Sequence, residues 1–257
     1  MENFQFFVGT NVLFGKGQLE RLPSSLAQFG KNVLLTYGGG SIKRTSLYDQ
    51  IKQLLGSFEV FELGGIEPNP RIESVEAGAA LCRENAIDVI LAVGGGSTID
   101  CSKAIAAATF YPGGAWEMIK QASDRAAGAA VITRAVPIVT VLTLAATGSE
   151  MNSGGVISNL QVKEKVGFFS PLVLPKVSIL DPELTYSVPA NQTAAGAADI
   201  MSHILEVYFN ALPTFIPDRI SEGLLKTVIH YAPLALNEPH HYEARANLMW
   251  ASSLALN

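Results

Sequence analysis

Apolar positions along this chain follow two rhythms. Short continuous runs, Val33-Leu34-Leu35-Thr36-Tyr37, Val60-Phe61-Glu62-Leu63, Val89-Ile90-Leu91-Ala92-Val93 and Ile138 to Leu142, have the length and β-branched content of buried strands. Between them, apolar residues recur at helical spacing through Leu47, Ile51, Leu54 and Leu55, over Ile72 to Glu84, and from Ser97 towards Ala108. Strands alternating with helices predict a mostly parallel sheet covered on both faces. The opening segment alternates through Phe4, Phe6 and Val8, then turns at Gly9-Thr10-Asn11 into Val12-Leu13-Phe14, which predicts a β-hairpin. Residues 112–134 read as a helix and a loop.

Beyond Leu180-Asp181-Pro182 the strand rhythm stops, and helices are predicted at Ala190 to Ala211, Asp218 to Leu236 and Glu243 to Asn257. The fold class is therefore an α/β N-terminal domain, residues 1–182, followed by the start of an all-helical domain, residues 183–257. The closing helix runs out in apolar residues without a C-cap glycine or a basic last turn, which predicts that the helical domain is incomplete.

Composition narrows the function classes. With 48% hydrophobic and 16% charged residues, the 257-residue chain can bury a large core. A net charge of −5 argues against a nucleic-acid partner, since such proteins concentrate Lys and Arg on one face. The longest apolar stretch, Ala135 to Ala146, falls short of the roughly 20 residues that span a bilayer, so no membrane span is expected. Met1-Glu2-Asn3 lacks the basic flank of a secretory signal, and the expected location is cytoplasmic. Cys82 and Cys101, without CxxC spacing, read as reduced packing residues.

Three glycine or hydroxyl-rich turns follow predicted strands. Gly38-Gly39-Gly40-Ser41, with Lys43 close behind, and Gly94-Gly95-Gly96-Ser97, with Asp100 and Lys103, could each let a phosphate approach the backbone where a helix begins. One such turn alone is as often merely a turn, but two in one sheet favour a nucleotide or dinucleotide site. Neither matches GxGxxG. The third, Thr143 to Glu150, could contact phosphate, although Thr147 or Ser149 as a plain helix cap is the simpler reading. Asp199 and His203, four apart on a predicted helix, could ligate one divalent metal, while a salt link or core histidine is the commoner outcome. His240 and His241 read as solvated loop, and His230 as a partner of a helix C-terminus.

In order, the chain carries Tyr37-Gly38-Gly39-Gly40-Ser41, Glu67-Pro68-Asn69-Pro70, Gly94-Gly95-Gly96-Ser97 with Asp100, Thr147-Gly148-Ser149-Glu150, Leu180-Asp181-Pro182, and Asp199 with His203. This combination closely resembles the iron-containing alcohol dehydrogenase family, in particular its butanol dehydrogenase and NADPH-dependent aldehyde reductase branch. The resemblance implies an N-terminal dinucleotide-binding domain, a helical domain, and a metal and nicotinamide that meet between them. Gly95, Gly96, Ser97 and Asp100 would hold the pyrophosphate and ribose. Asn69 would contact the adenosine side, and Thr143, Thr147 and Lys165 would line the cofactor towards the nicotinamide.

NAD-dependent relatives carry an Asp after the first strand, where this chain has Gly38. Gly38, Gly39 and Ser41 with Lys43 would accommodate a 2′-phosphate, so NADP(H) is favoured over NAD(H). Asp199 and His203 match two of the family's four metal ligands, for iron or zinc. The other two are histidines that follow a sequence like Leu254-Ala255-Leu256-Asn257, so the chain is expected to be C-terminally truncated and weakly active or inactive. Ala145 stands where the family has proline, which should loosen that loop modestly.

The implied activity is hydride transfer between NADP(H) and a primary alcohol or aldehyde, assisted by a divalent metal, with a homodimer at full length. The alternatives are a non-catalytic nucleotide-binding fragment and a glycerol dehydrogenase-like relative.

Overall fold

The computed structural model describes residues 7–124, 130–210 and 215–257. Six strands form one sheet: β1 Asn11–Phe14, β2 Asn32–Gly38, β3 Glu59–Ile66, β4 Val89–Gly94, β5 Ile138–Leu142 and β8 Val177–Leu180, in the order β1-β8-β5-β4-β2-β3. Every neighbouring pair is parallel. The remaining two strands, β6 Gly154–Asn159 and β7 Glu164–Phe169, form a separate antiparallel hairpin.

Alternate residues of each strand feed opposite cores, because side chains in a strand have a period of two. Leu34, Ile90 and Ile138 face α4 (Ile72–Glu84), α5 (Gly96–Ala108) and α6 (Ala115–Gln121). Val33, Leu35, Val89, Leu91, Val93, Val139 and Val141 face α1 (Leu22–Ala27) and α3 (Leu47–Leu54). Strand β4 is buried along its whole length, which is why it reads as an unbroken apolar run. Between β2 and β3 lie α3 and the single-turn α2 (Ser41–Arg44).

Three longer helices follow the sheet: α7 Ala190–Tyr208, α8 Phe215–Asn237 and α9 Tyr242–Ala255. They share a core of Ala197, Ile200, Ile204, Val228, Leu248 and Ala251. Met249 of α9 packs with Ala92, Ile99, Leu142 and Leu180, so helices and sheet meet at the carboxyl ends of β4, β5 and β8. Arg245 is buried and binds the helices together, donating to Thr193 Oγ1 at 3.0 Å and to the Pro239 carbonyl at 2.9 Å. On α8, Phe215, Ile216, Ile220 and Ile229 are exposed.

Several expectations need correction. Phe4 and Phe6 lie outside the described residues, residues 7–10 form no strand, and β1 instead pairs in parallel with β8, in register Asn11↔Val177 to Phe14↔Leu180. Strand β8 and the β6–β7 hairpin are absent from the sequence reading. His241 is not solvated loop: its Nδ1 accepts from the Ala244 amide at 3.2 Å and caps α9. His240 is exposed in the turn between α8 and α9, as expected, and stacks on Tyr186 with ring centroids 4.9 Å apart. His230 lies well inside α8, away from its end. Both cysteines are buried and free, and burial pushes the Cys82 thiol up to about 11 and that of Cys101 up to about 12, which leaves them unreactive. No described helix is long and apolar enough to cross a membrane.

Candidate functional site

The strand order reverses between β2 and β4: β3 lies on one side of β2, whereas β4, β5 and β8 extend on the other. In open α/β sheets, ligands occupy the crevice at the carboxyl ends of the strands where that reversal occurs. Tyr37 and Val93 are register partners there, so Gly38-Gly39-Gly40 and Gly94-Gly95-Gly96 emerge side by side.

The two turns differ in construction. A Cβ on Gly94 would stand 2.5 Å from Thr98 Oγ1 and one on Gly96 would stand 2.3 Å from Thr147 Oγ1, so these glycines permit a close packing that no other residue fits. The turn opens α5, a helix of 13 residues with no side-chain cap, whose first amides and dipole are positioned for an anion. Around Gly39 and Gly40 there is open space instead, and Gly40 has φ +94°. The expectation that this turn also opens a helix is met only by the four residues of α2, too short for a dipole site. Ser41 at its start is exposed.

The third turn closes over the second. Thr143 donates its amide to the Gly94 carbonyl at 3.0 Å. The Thr147 hydroxyl accepts from the Ser149 amide at 3.3 Å and contacts Ser149 Oγ at 2.9 Å, a local turn bond, while the helical turn Ser149–Met151 has Gly148 as its N-cap and no side-chain cap, so neither Thr147 nor Ser149 is the expected helix cap. Asp100, one turn into α5, accepts from the Val156 amide at 3.0 Å through Oδ2, while Oδ1 is buried without a partner. Burial raises its carboxyl above the usual range, opposed mainly by Lys103.

Asn69 and Lys165, 96 positions apart, meet: Lys165 Nζ donates to Asn69 Oδ1 at 2.8 Å. Asn69 adopts φ +56°, and the Ser158 amide of the hairpin donates to the Pro70 carbonyl at 2.9 Å, fixing this loop beside β6.

Asp199 and His203 project from α7 one turn apart, with His203 Nε2 3.7 Å from Asp199 Oδ2 and Nδ1 3.9 Å from Glu206 Oε2. His203 Nδ1 is buried without a hydrogen bond. Gly196 sits one turn earlier on the same helix, and a Cβ there would stand 2.5 Å from the Ala145 carbonyl oxygen. Thus the helix bearing the pair packs directly on the turn after β5. A carboxylate beside an imidazole with a free nitrogen has the chemistry of a divalent-metal ligand pair. Among the described residues, no group of three or more His, Cys, Asp or Glu side chains could hold an ion.

The sequence reading places Lys103 with the second glycine turn and Glu150 in the third, but the structure turns both inward. Lys103 is fully buried, donating to Asn152 Oδ1 at 2.8 Å and the Gly154 carbonyl at 2.7 Å, and burial pushes its ammonium down to about 8. Glu150 is fully buried, accepts from Ser253 Oγ at 2.5 Å, and is pushed above the usual carboxylate range by burial. The available signal was a lysine three positions after Asp100 at the start of an alanine-rich run.

A family model described as iron-containing alcohol dehydrogenase matches residues 9–182, and one for the C-terminal part of Fe-containing alcohol dehydrogenases matches residues 193–256. The chain is 50% identical over 260 residues to NADH-dependent butanol dehydrogenase B of Clostridium acetobutylicum, and 43% identical over 260 residues to NADPH-dependent aldehyde reductase YqhD of Escherichia coli. In both comparisons the match takes in 100% of this chain and 65% of the relative, so the chain spans about 65% of the length of these relatives. Among solved structures, Thermotoga maritima NADH-dependent butanol dehydrogenase A superposes with TM-score 0.94 at 39% identity, over 100% of this chain and 64% of that one. E. coli YqhD superposes with TM-score 0.93 at 42% identity, over 99% and 64%.

Proposed function

Because the chain belongs to the iron-containing alcohol dehydrogenase family, we propose that it provides the cofactor cleft and two metal ligands of an enzyme that transfers hydride between a nicotinamide dinucleotide and a primary alcohol or aldehyde. The observation that carries this reading is the packing of α7, with Asp199 and His203, onto the turn after β5, beside the paired glycine turns of β2 and β4. Residues that would hold a nicotinamide dinucleotide and residues that would hold an ion then line one crevice.

In this reading the amides at the start of α5, with Gly95, Gly96 and Ser97, would hold the pyrophosphate, and Asp100, one turn further on, would serve the neighbouring ribose. Lys165 and Asn69, already hydrogen-bonded to each other, line the adenosine-to-nicotinamide path, and Thr143 and Thr147 close it on the side of α7. Asp199 and His203 would hold the ion, and a carboxylate with an imidazole suits iron or zinc equally. When bound, the nicotinamide donates or accepts the hydride and the ion polarises the substrate oxygen.

For the cofactor we favour NADP(H). Gly38 leaves no carboxylate to repel a 2′-phosphate, the space around Gly39 and Gly40 is open, and Lys43 stands beside it. The names of the similar proteins divide on this point, with butanol dehydrogenases called NADH-dependent and YqhD NADPH-dependent.

Fluorescence titration of the chain with NADPH and NADH, with and without Zn²⁺ or Fe²⁺, coupled to butanal reduction, tests the proposal. Saturable NADPH binding tighter than NADH binding is expected. Binding without turnover would keep the cleft and remove the catalytic role from this chain, and no binding of either cofactor would overturn the reading.

A further inference from the structure

Four elements converge beside the first glycine turn. The ammonium of Lys43, on α2, lies 4.8 Å from the ring centroid of Tyr37, at the end of β2, and 4.8 Å from that of Tyr48, on α3. The two rings meet edge to face at 5.9 Å. Behind them, Glu62 of β3 accepts from Tyr37 at 3.0 Å, from Tyr48 at 2.9 Å and from Lys52 at 2.9 Å. Gly64 makes room for this arrangement, since a Cβ there would stand 2.4 Å from the Tyr37 ring.

The charges are distributed unevenly. Lys52 neutralises Glu62, and both carboxylate oxygens are occupied by the phenols and that ammonium. Lys43 rests on ring faces, which attract a cation without cancelling its charge. One exposed positive charge thus lies against two rings at the carboxyl end of β2, next to open space at Gly39 and Gly40. A lysine side chain loses rotamer freedom when it engages an anion, and contact with the rings biases Lys43 towards one position beforehand.

We propose that Tyr37, Tyr48 and Glu62 form a dock that positions Lys43 and thereby sets the preference between phosphorylated and unphosphorylated adenosine ribose. The inference rests on the cofactor-cleft reading above. Tyr48 is a positioning residue: it acts on the ligand only through Lys43. A 2′-phosphate gains a charge-assisted contact with the docked ammonium, whereas a 2′-hydroxyl has no charge for it to meet.

The test is titration of NADPH and NADH against the wild-type chain, Lys43→Met, Tyr48→Leu, Tyr48→Phe and the Lys43→Met/Tyr48→Leu double variant. K43M should weaken NADPH about tenfold and leave NADH within about twofold. Y48L should weaken NADPH roughly two- to fivefold with NADH again little changed, and Y48F, which keeps the ring face, should stay near wild type. The double variant should bind NADPH as K43M does, because Tyr48 has no separate route to the ligand. Equal losses for both cofactors in Y48L, or losses that add in the double variant, would overturn the dock. Unchanged NADH binding shows that each variant is folded, and a wild-type chain that binds neither cofactor would instead remove the cleft reading on which the dock depends.

Discussion

Gly96 and Thr147 face each other so closely that a methyl group on Gly96 would stand 2.3 Å from the Thr147 hydroxyl oxygen. The turn after β4 and the turn after β5 are therefore held in contact by the lack of a side chain at one position. Gly96→Ala should cost about 1–3 kcal/mol of stability by overpacking and also weaken NADPH binding by displacing the start of α5. Denaturant unfolding and cofactor titration measure the two effects. Adding Thr147→Gly should restore part of the loss, and simple additivity would contradict the contact.

Lys103 joins α5 to the start of β6 through Asn152 and Gly154 and stands among the carboxylates of Asp100 and Glu150. Lys103→Met should cost about 3 kcal/mol at neutral pH, because it leaves buried acceptors unpaired and removes the cation facing two buried acids.

The same lysine predicts a pH dependence. Its folded pKa, about 8, lies below the usual 10.5, so between these values the unfolded chain binds more protons than the folded one. This group's contribution to stability is present above 10.5 and is lost as pH falls to about 8. The unfolding free energy of the wild type should thus rise relative to that of K103M over this window. A constant difference between the two, measured by denaturant unfolding at several pH values, would contradict the assignment.

Asp181 joins the ends of two edge-proximal strands, accepting from the Gly17 amide at 2.7 Å and the Glu183 amide at 3.1 Å. Asp181→Ala should lower stability by about 1–2 kcal/mol as a lost cap, and Asp181→Asn by less. Thermal unfolding of both variants ranks them.

Asp199 and His203 are predicted to act together on an ion. Asp199→Ala and His203→Ala should each lower Zn²⁺ affinity at least about tenfold while leaving NADPH binding intact. Calorimetric titration with Zn²⁺ and fluorescence titration with NADPH separate the two, and unchanged Zn²⁺ affinity in both variants would remove them as ligands.

Much of the sheet was legible because its strands carry their burial in their own composition. β5 was anticipated at Ile138 to Leu142 and α4 at Ile72 to Glu84, the bounds that the structure shows. The β6–β7 hairpin was not legible: glycines at 154, 155 and 167 thin out its apolar pattern, and its turn is organised by the Asn159 side chain accepting from the Gln161 amide at 3.0 Å. Strand β8 has four residues, too few for a periodic signal. The parallel pairing of β1 was hidden because its partner lies more than 160 positions away.

Sequence by itself determined the family, the alternation of strand and helix, the glycine turns and the i,i+4 spacing of Asp199 and His203, because each is written in residues close together along the chain. Only the tertiary structure decided that the glycine turns stand side by side where the strand order reverses, that Lys165 reaches Asn69, and that Gly196 seats α7 on Ala145. It also decided that Lys103 carries its charge into a fully buried position and that Lys43 rests on two rings. Those relationships depend on which elements pack together, and packing is a property of the whole core rather than of any short segment.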